Sequence, residues 1–226
     1  MFVVGNGPSL RWTPLDKLKG EICFATNRIN LIYPYTDWRP THYVRAEQAD
    51  IQAPETYYED MRLHVDELQC EVFCNVWFVK NTDFGKRPNV TILDACAHYQ
   101  TNYDSEYCPH LWHLPRICTM GGSVNVAIQL AVQEGATEII LVGCDLGYKD
   151  GKPSHFDDQY ETGLTLQAAR YANMNALTAH IIAKRSSPVP IYNATLGGSL
   201  EVYERINYFE PDLDSPVHHT PGFAYR

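Results

Sequence analysis

Two glycine-containing segments have the composition of anion-binding loops. The first, Gly5-Asn6-Gly7-Pro8-Ser9, follows directly on the apolar run Phe2–Val4. The second, Gly121-Gly122-Ser123, precedes an apolar stripe that predicts a helix with Ser123 as its N-cap. Glycine lets the backbone approach a ligand closely, and free N–H groups at a helix start can hold an anion. Both segments therefore favour a phosphate or nucleotide site, although each also fits an ordinary tight turn.

Neither segment matches the best-known nucleotide fingerprints. Gly5-Asn6-Gly7 lacks the third glycine of the dinucleotide motif, and no acidic residue ends the second predicted strand. The loop also lacks the Gly-Lys-Ser/Thr of a P-loop. The sequence thus disfavours NAD binding and Walker-type ATP binding.

Polar residues follow several other apolar runs that predict strands. They are Asn27 and Arg28 after 22–25, Asp145 after 138–142, and Asn193 after 189–192. In an open parallel sheet the carboxyl ends of the strands form one ligand-binding edge, so we expect these side chains near one another. Asn27 and Arg28 could instead cap a helix, and Asp145 could anchor the loop that follows it.

A polar, aromatic-bearing segment over 147–163 predicts a lid loop. His155 in this segment is the candidate general base, because a histidine can take the proton of an acceptor hydroxyl near neutral pH. A solvated loop histidine is the alternative. Tyr148 and Tyr160 flank it and could donate to a leaving phosphate. The carboxylates beside His155 could form part of a metal site, but no further ligand cluster supports one, so no metal is predicted.

Alternating strand and helix signals predict an α/β fold. We expect a Rossmann-like, mainly parallel sheet with helices on both faces, and a second long helix over about 165–185. A single nucleotide-binding domain would span 1–206, with an irregular insertion at 51–116. The remaining 207–226, which contain three prolines, predict an extended C-terminal arm that is compatible with a homo-oligomer.

Composition narrows the class of protein. The 226 residues are 45% hydrophobic and 20% charged, enough for one domain with a sizeable core. The net charge of −9 argues against a nucleic-acid binder. No membrane span or signal peptide is recognisable, and seven cysteines without a Cys-x-x-Cys pair favour reduced, buried thiols. We therefore expect a cytoplasmic protein.

The order of these motifs resembles one superfamily. The segments that carry the likeness are 4–10, 25–28, 121–123 and 139–148. They are similar to the family 42 bacterial sialyltransferases, the Maf flagellin glycosyltransferases and the 6-hydroxymethylpterin diphosphokinase-like proteins. The resemblance covers 1–45 and 117–206.

For the sialyltransferases, the resemblance implies a Rossmann-like domain, a CMP-sugar donor, no metal and a lid that closes over the donor. It matches Asn6 and Asn27 to nucleotide-binding asparagines and Ser123 to a serine at the donor site. The family's catalytic histidine has no counterpart just before the 165–185 helix, which leaves His155 as the candidate. Arg45 stands where that family has an asparagine.

The expected function is transfer from a nucleotide sugar, with a CMP-sialic-acid-like donor, to a glycan or protein hydroxyl, without a cofactor. The expected nucleotide site comprises Gly5, Asn6, Gly7, Ser9, Asn27, Arg28, Gly121, Gly122, Ser123, Asp145 and Asn193; the expected catalytic residues are His155, Tyr148 and Tyr160. One alternative is pyrophosphoryl transfer from ATP to a pterin alcohol, with Mg²⁺ and either Asp145 or Asp157. Another is a nucleotide-binding protein without catalysis.

Overall fold

The structure is a computed structural model that describes residues 1–46, 55–80, 82–95, 112, 116–119, 121–147, 154–160 and 166–209. For 166–172 it describes the backbone only.

A parallel sheet forms the centre of the fold. Its strands in the described residues are β1 Phe2–Val4, β2 Cys23–Thr26, β3 His42–Arg45, β4 Glu71–Asn75, β5 Val90–Ala95, β6 Arg116–Ile117, β7 Ile139–Val142, β8 Ile191–Asn193 and β9 Glu204–Arg205. They lie in the order β6-β5-β4-β3-β2-β1-β7-β8-β9, and every neighbouring pair is parallel. The predicted parallel α/β architecture is confirmed.

The strand order reverses at β1. The chain runs outward from β1 to β6 on one side and then returns to β7 on the other, so that Phe2 pairs with both Cys23 and Ile140. In open α/β sheets, ligands bind outside the carboxyl ends of the strands where the order reverses. The ends of β1 and β7 are therefore the first place to look for a site.

The helices are α1 Glu55–Arg62, α2 Ser123–Gln133 and α3 Leu166–Ser186, and a π-helical turn, Leu63–Glu67, continues α1. The expected N-cap of α2 is wrong by one residue. Gly122, at φ +85°, is the cap, and Ser123 is already helical. Gly135, at φ +83°, follows the end of the same helix, as the sequence predicts.

Each face of the sheet has its own apolar layer, because successive side chains of a strand point to opposite faces. On one face, Val3 and Leu141 pack with Ile128 of α2 and Ala183 of α3. On the other face, α1 and the 3₁₀ segments Pro8–Trp12, Leu15–Leu18 and Ile29–Tyr35 cover the strands. Helical segments thus lie on both faces, as expected.

The segment 51–116 is not irregular where the structure describes it. It contributes α1, β4, β5 and the start of β6, and these strands extend the parallel sheet. The expectation of an irregular segment was wrong. The run 72–79 looks extended in the sequence and contains most of β4, but β5 does not read as an apolar run. In β5, Ile92 is exposed and Asp94 stands near the strand end, which breaks the apolar period.

Two further expectations concern the cysteines and the C-terminal arm. The described cysteines are all buried and free of disulfides: Cys23, Cys70, Cys74, Cys118 and Cys144. Phe209 is buried and Tyr208 lies edge-on to Phe2, so the arm starts by packing on the sheet. The rest of the arm, 210–226, lies outside the described residues. Within the described part of the chain, none of the helices combines the length and apolar character that crossing a membrane would need.

Candidate functional site

Hydrogen bonds join the loops that follow β1 and β7. Gly7 N donates to Gly143 O at 2.8 Å. Ser9 donates through its backbone N (3.1 Å) and its Oγ (2.8 Å) to the two carboxylate oxygens of Asp145. A Cβ on Gly7 would overlap the same carboxylate, which explains a glycine at this position. The first glycine loop is therefore shaped around Asp145.

Asp145 anchors a third loop as well. Its backbone oxygen accepts hydrogen bonds from Ser199 N (2.6 Å) and Leu200 N (3.2 Å). Burial raises the pKa of its carboxyl to about 6, although the hydrogen bonds from Ser9 oppose that shift. Both carboxylate oxygens are engaged inside the protein, so the structure places Asp145 in the anchoring role that the sequence left open beside ligand binding.

Asn6 lies where three segments meet. Its Nδ2 donates to Thr26 O (2.8 Å) and Thr26 Oγ1 (3.0 Å), which ties the β1 loop to the end of β2. Its backbone oxygen accepts Phe156 N at 3.0 Å, which brings the 154–160 loop to the same place. Its Oδ1 is buried and has no hydrogen-bond partner among the described residues. Since buried amide oxygens are normally satisfied, this atom is available to a ligand donor.

Asn27 and Ser123 touch although they are far apart in the sequence. Ser123 Oγ donates to Asn27 Oδ1 at 2.9 Å and accepts Ala46 N at 3.4 Å. Asn27 has φ +51°, a left-handed conformation that asparagine tolerates better than most residues. Tyr43 Oη donates to its backbone oxygen at 2.6 Å. The start of α2, with its positive dipole end, thus faces the ends of β2 and β3.

Arg28 bonds to protein groups. Its Nε lies 3.3 Å from Asp60 Oδ2, and its Nη1 donates to Gln159 O (2.6 Å) and Tyr160 O (3.2 Å). Asp60 is on α1, in the segment whose structure the sequence did not predict. No motif marks it, and only its closeness to Arg28 in space shows that it belongs to this region.

His155 and Tyr160 form a ring stack. Their centroids are 3.7 Å apart, and the planes lie within 8° of parallel. Burial lowers the pKa of His155 to about 4, so the imidazole is neutral at pH 7 but a weaker base than an exposed histidine. The neighbouring Phe156 is fully buried in the core. Tyr148, the third candidate catalytic residue, lies outside the described residues.

The remaining predicted site residues have local structural partners. Asn193 Nδ2 donates to Leu200 O at 2.8 Å, and its Oδ1 accepts Thr195 N at 3.0 Å, so this side chain shapes the loop after β8. A Cβ on Gly121 would overlap Ala179 of α3, so the glycine permits close packing of the two helices. Over the ranges that the structure describes, no three histidine, cysteine or acidic side chains group as metal ligands would.

The structure therefore brings together Gly5, Asn6, Gly7, Ser9 and Asp145 at the reversal, and Asn27 with Ser123 beside them. Gly5 belongs to this group because its N donates to Val142 O at 2.8 Å, at the end of β7. The 154–160 loop reaches the same edge at Asn6. Arg28 and Asn193 point to neighbouring loops.

Comparison with known proteins identifies the fold. No family model matches the sequence, and no curated protein matches it. Two solved structures do align with it, each with a TM-score of 0.53. A Maf glycosyltransferase from Magnetospirillum magneticum AMB-1 is 14% identical over 93% of this chain. The sialyltransferase CST-II, a point variant in complex with CMP, is 16% identical over 95% of it. The fold is glycosyltransferase-like.

The two structures differ in how much of each this chain spans. It covers 88% of CST-II but only 34% of the Maf protein. The Maf chain therefore has roughly two thirds of its length outside the shared fold. At these identities the likeness concerns the fold.

Proposed function

We propose that this protein transfers a sugar from a CMP-linked, sialic-acid-like donor to a hydroxyl of a glycan or protein. The observation that carries the proposal is the junction at Asn6. Its Oδ1, which is buried and has no hydrogen-bond partner in the described part of the chain, lies at the strand-order reversal, beside the Asn27–Ser123 pair. Two further points support it: CST-II shares this fold and was solved with CMP, and the resemblance matches Asn6 and Asn27 to nucleotide-binding asparagines.

The described residues can be given roles in this reaction. The acceptor oxygen attacks the anomeric carbon, the bond from that carbon to the phosphate oxygen breaks, and its electrons leave with CMP. His155 takes the proton of the acceptor hydroxyl. Negative charge on the departing phosphate is stabilised by the positive end of α2. Tyr160, stacked on His155, keeps the imidazole plane fixed.

Binding of CMP separates this proposal from the alternatives. We expect thermal-shift and calorimetric assays to show stabilisation by CMP and CDP with or without Mg²⁺. A saturating ligand at about 100 times its Kd adds about 2.7 kcal/mol to the free energy of unfolding. A response confined to ATP with Mg²⁺ would favour pyrophosphoryl transfer instead. CMP binding without donor hydrolysis or transfer, tested over several acceptors, would favour the non-catalytic alternative.

The role of Asn6 can be tested with a matched pair of variants. Asn6→Ala removes the unpartnered Oδ1, and we expect it to weaken CMP binding about tenfold or more, which corresponds to about 1.4 kcal/mol. Thr26→Val removes one acceptor of Asn6 Nδ2 but keeps the side chain of Asn6. Calorimetry should therefore show a much smaller loss for Thr26→Val. Equal losses would mean that Asn6 acts only by holding β1 to β2.

The role of His155 requires separate measurements of binding and turnover. We expect His155→Gln to lower the transfer rate about 100-fold or more, in the usual range for a lost general base, while CMP affinity changes little. Steady-state kinetics with a CMP-sugar donor and calorimetry with CMP measure the two effects. An unchanged transfer rate would show that another group takes the proton.

A further inference from the structure

The 154–160 loop is held at several points along its length. Phe156 is anchored by its backbone bond to Asn6 and by its buried ring. Asp158 lies 3.5 Å from the buried Nη2 of Arg11. The last two residues, Gln159 and Tyr160, offer their backbone oxygens to Arg28 at 2.6 Å and 3.2 Å. Arg28 therefore holds the backbone of Tyr160, one of the two stacked residues.

The orientation of Arg28 depends on Asp60. The Arg28 side chain is 14% exposed and that of Asp60 only 5%, so their contact at 3.3 Å is well shielded from water. The other carboxylate oxygen of Asp60 accepts Asn30 Nδ2 at 2.7 Å. With its Nε held at Asp60, Arg28 directs Nη1 toward the loop. The planar fork of an arginine transmits this constraint in a way that a flexible ammonium group would not.

Asp60 is itself fixed by a buried network. His64, one turn later, approaches Asp60 O through Nδ1 at 2.6 Å and Tyr33 Oη through Nε2 at 2.7 Å. The His64 ring stacks on Tyr43 at 3.7 Å between centroids. Tyr43 Oη donates to Asn27 O. The same turn of helix therefore supports Asn27 on one side and Arg28 on the other.

We propose that Asp60 is a positioning residue of the candidate active site. It orients Arg28, which holds the loop that carries His155 and Tyr160. This inference rests on the proposed function, because that function makes His155 and Tyr160 catalytic. It also gives a role to α1, which lies outside the residues that carry the family resemblance. Asp60 acts through its contact with Arg28.

The proposed hold of Asp60 and Arg28 on the 154–160 loop can be tested on the free protein by amide hydrogen exchange. We expect Asp60→Asn and Arg28→Gln each to raise exchange in 154–160 by about tenfold or more, because local opening governs exchange. If Asp60 acts through Arg28, the double variant should exchange no faster than Arg28→Gln alone. Asp66→Asn is the matched control. Asp66 lies on the adjoining π-helical turn, and its substitution breaks an exposed contact with Arg87. Additive effects, or equal effects of Asp60→Asn and Asp66→Asn, would overturn the inference.

Kinetics give a second, distinguishable readout. We expect Asp60→Asn to lower kcat about tenfold or more while the affinity for CMP stays within about twofold, since a displaced base costs turnover more than binding. Unchanged kcat despite faster loop exchange would overturn the positioning role. Failure of the wild-type protein to bind CMP would overturn the proposed function. The hydrogen-exchange comparison of the single and double variants would still decide whether Asp60 holds the loop through Arg28.

Discussion

At the scale of single residues, the loop after β1 is shaped by Asp145, whose carboxylate accepts hydrogen bonds from the backbone N and the Oγ of Ser9. That arrangement leaves Asn6 as the loop residue with a buried atom still to be satisfied. Sequence patterns placed both Asn6 and Asp145 at the binding edge, because each follows an apolar strand. They could not distinguish the two roles, since Ser9 and Asp145 lie 136 residues apart and nothing marks them as partners.

Gly7 should tolerate no side chain. We expect Gly7→Ala to lower the free energy of unfolding by about 1–3 kcal/mol, the usual cost of overpacking, because its Cβ would overlap the Asp145 carboxylate. Gly197→Ala is the control, since its Cβ would lie 3.7 Å from Oδ1 of the same carboxylate, an ordinary contact. Urea denaturation of both variants measures the difference. If Gly7→Ala lost no more stability than Gly197→Ala, the Asp145 carboxylate would have to move aside easily.

At the scale of elements, the start of α2 is fixed to β2 and β3 by one hydroxyl. Ser123 Oγ bridges Asn27 Oδ1 and Ala46 N. The sequence predicted α2 and α3 well, because both have apolar stripes with clear stop signals at Gly135 and Pro188. It missed α1 and β5, whose short lengths and mixed polarity leave no readable period, and it placed β4 only within a longer run, 72–79, that looks extended. Asp60 was missed with them.

The Ser123 bridge leads to an element-level prediction. Ser123→Ala should lower the free energy of unfolding by about 1 kcal/mol, as for a typical lost hydrogen bond, and should also weaken CMP binding by loosening Asn27. Ser186→Ala, at the end of α3, also loses hydroxyl hydrogen bonds, to Ile182 O and from Trp112 Nε1. It should lower stability without changing CMP affinity. Calorimetry with CMP measures the affinity of both variants. Equal CMP affinities would mean that Ser123 does not contribute to the proposed nucleotide site.

At the scale of the whole molecule, buried titratable groups couple folding to pH. Burial lowers the pKa of His64, His155 and His180 to about 4. The unfolded chain, with histidine near 6.5, therefore binds more protons than the native protein between these values. Stability supplied by each neutral histidine is lost as the pH falls from 6.5 toward 4. Asp145, with its pKa raised to about 6, acts in the opposite sense and gains stability over part of that range.

We therefore expect acid-induced loss of stability beginning near pH 6.5, because in the described residues burial lowers the pKa of four histidines, His42 included, and raises the pKa of only two carboxyls, Asp145 and Asp60. Each fully coupled proton contributes about 1.4 kcal/mol per pH unit. His180→Gln should make the dependence shallower by up to that amount, since the buried His180 ring hydrogen-bonds through Nδ1 to Tyr203 Oη and its burial lowers its pKa. Urea denaturation at several pH values between 4.5 and 7 tests it. An unchanged slope would show that His180 takes up its proton within the native fold.

The reversal at β1 also has a consequence for how the protein folds. Phe2 pairs with Cys23 nearby in the sequence and with Ile140 far along it. Loops that long close slowly, so contacts of this kind form late in folding. The second edge of β1 is therefore covered only when β7 pairs with it. The proposed nucleotide site lies where β1 meets β7, so we expect the gain of CMP binding during refolding to report the pairing of these two strands.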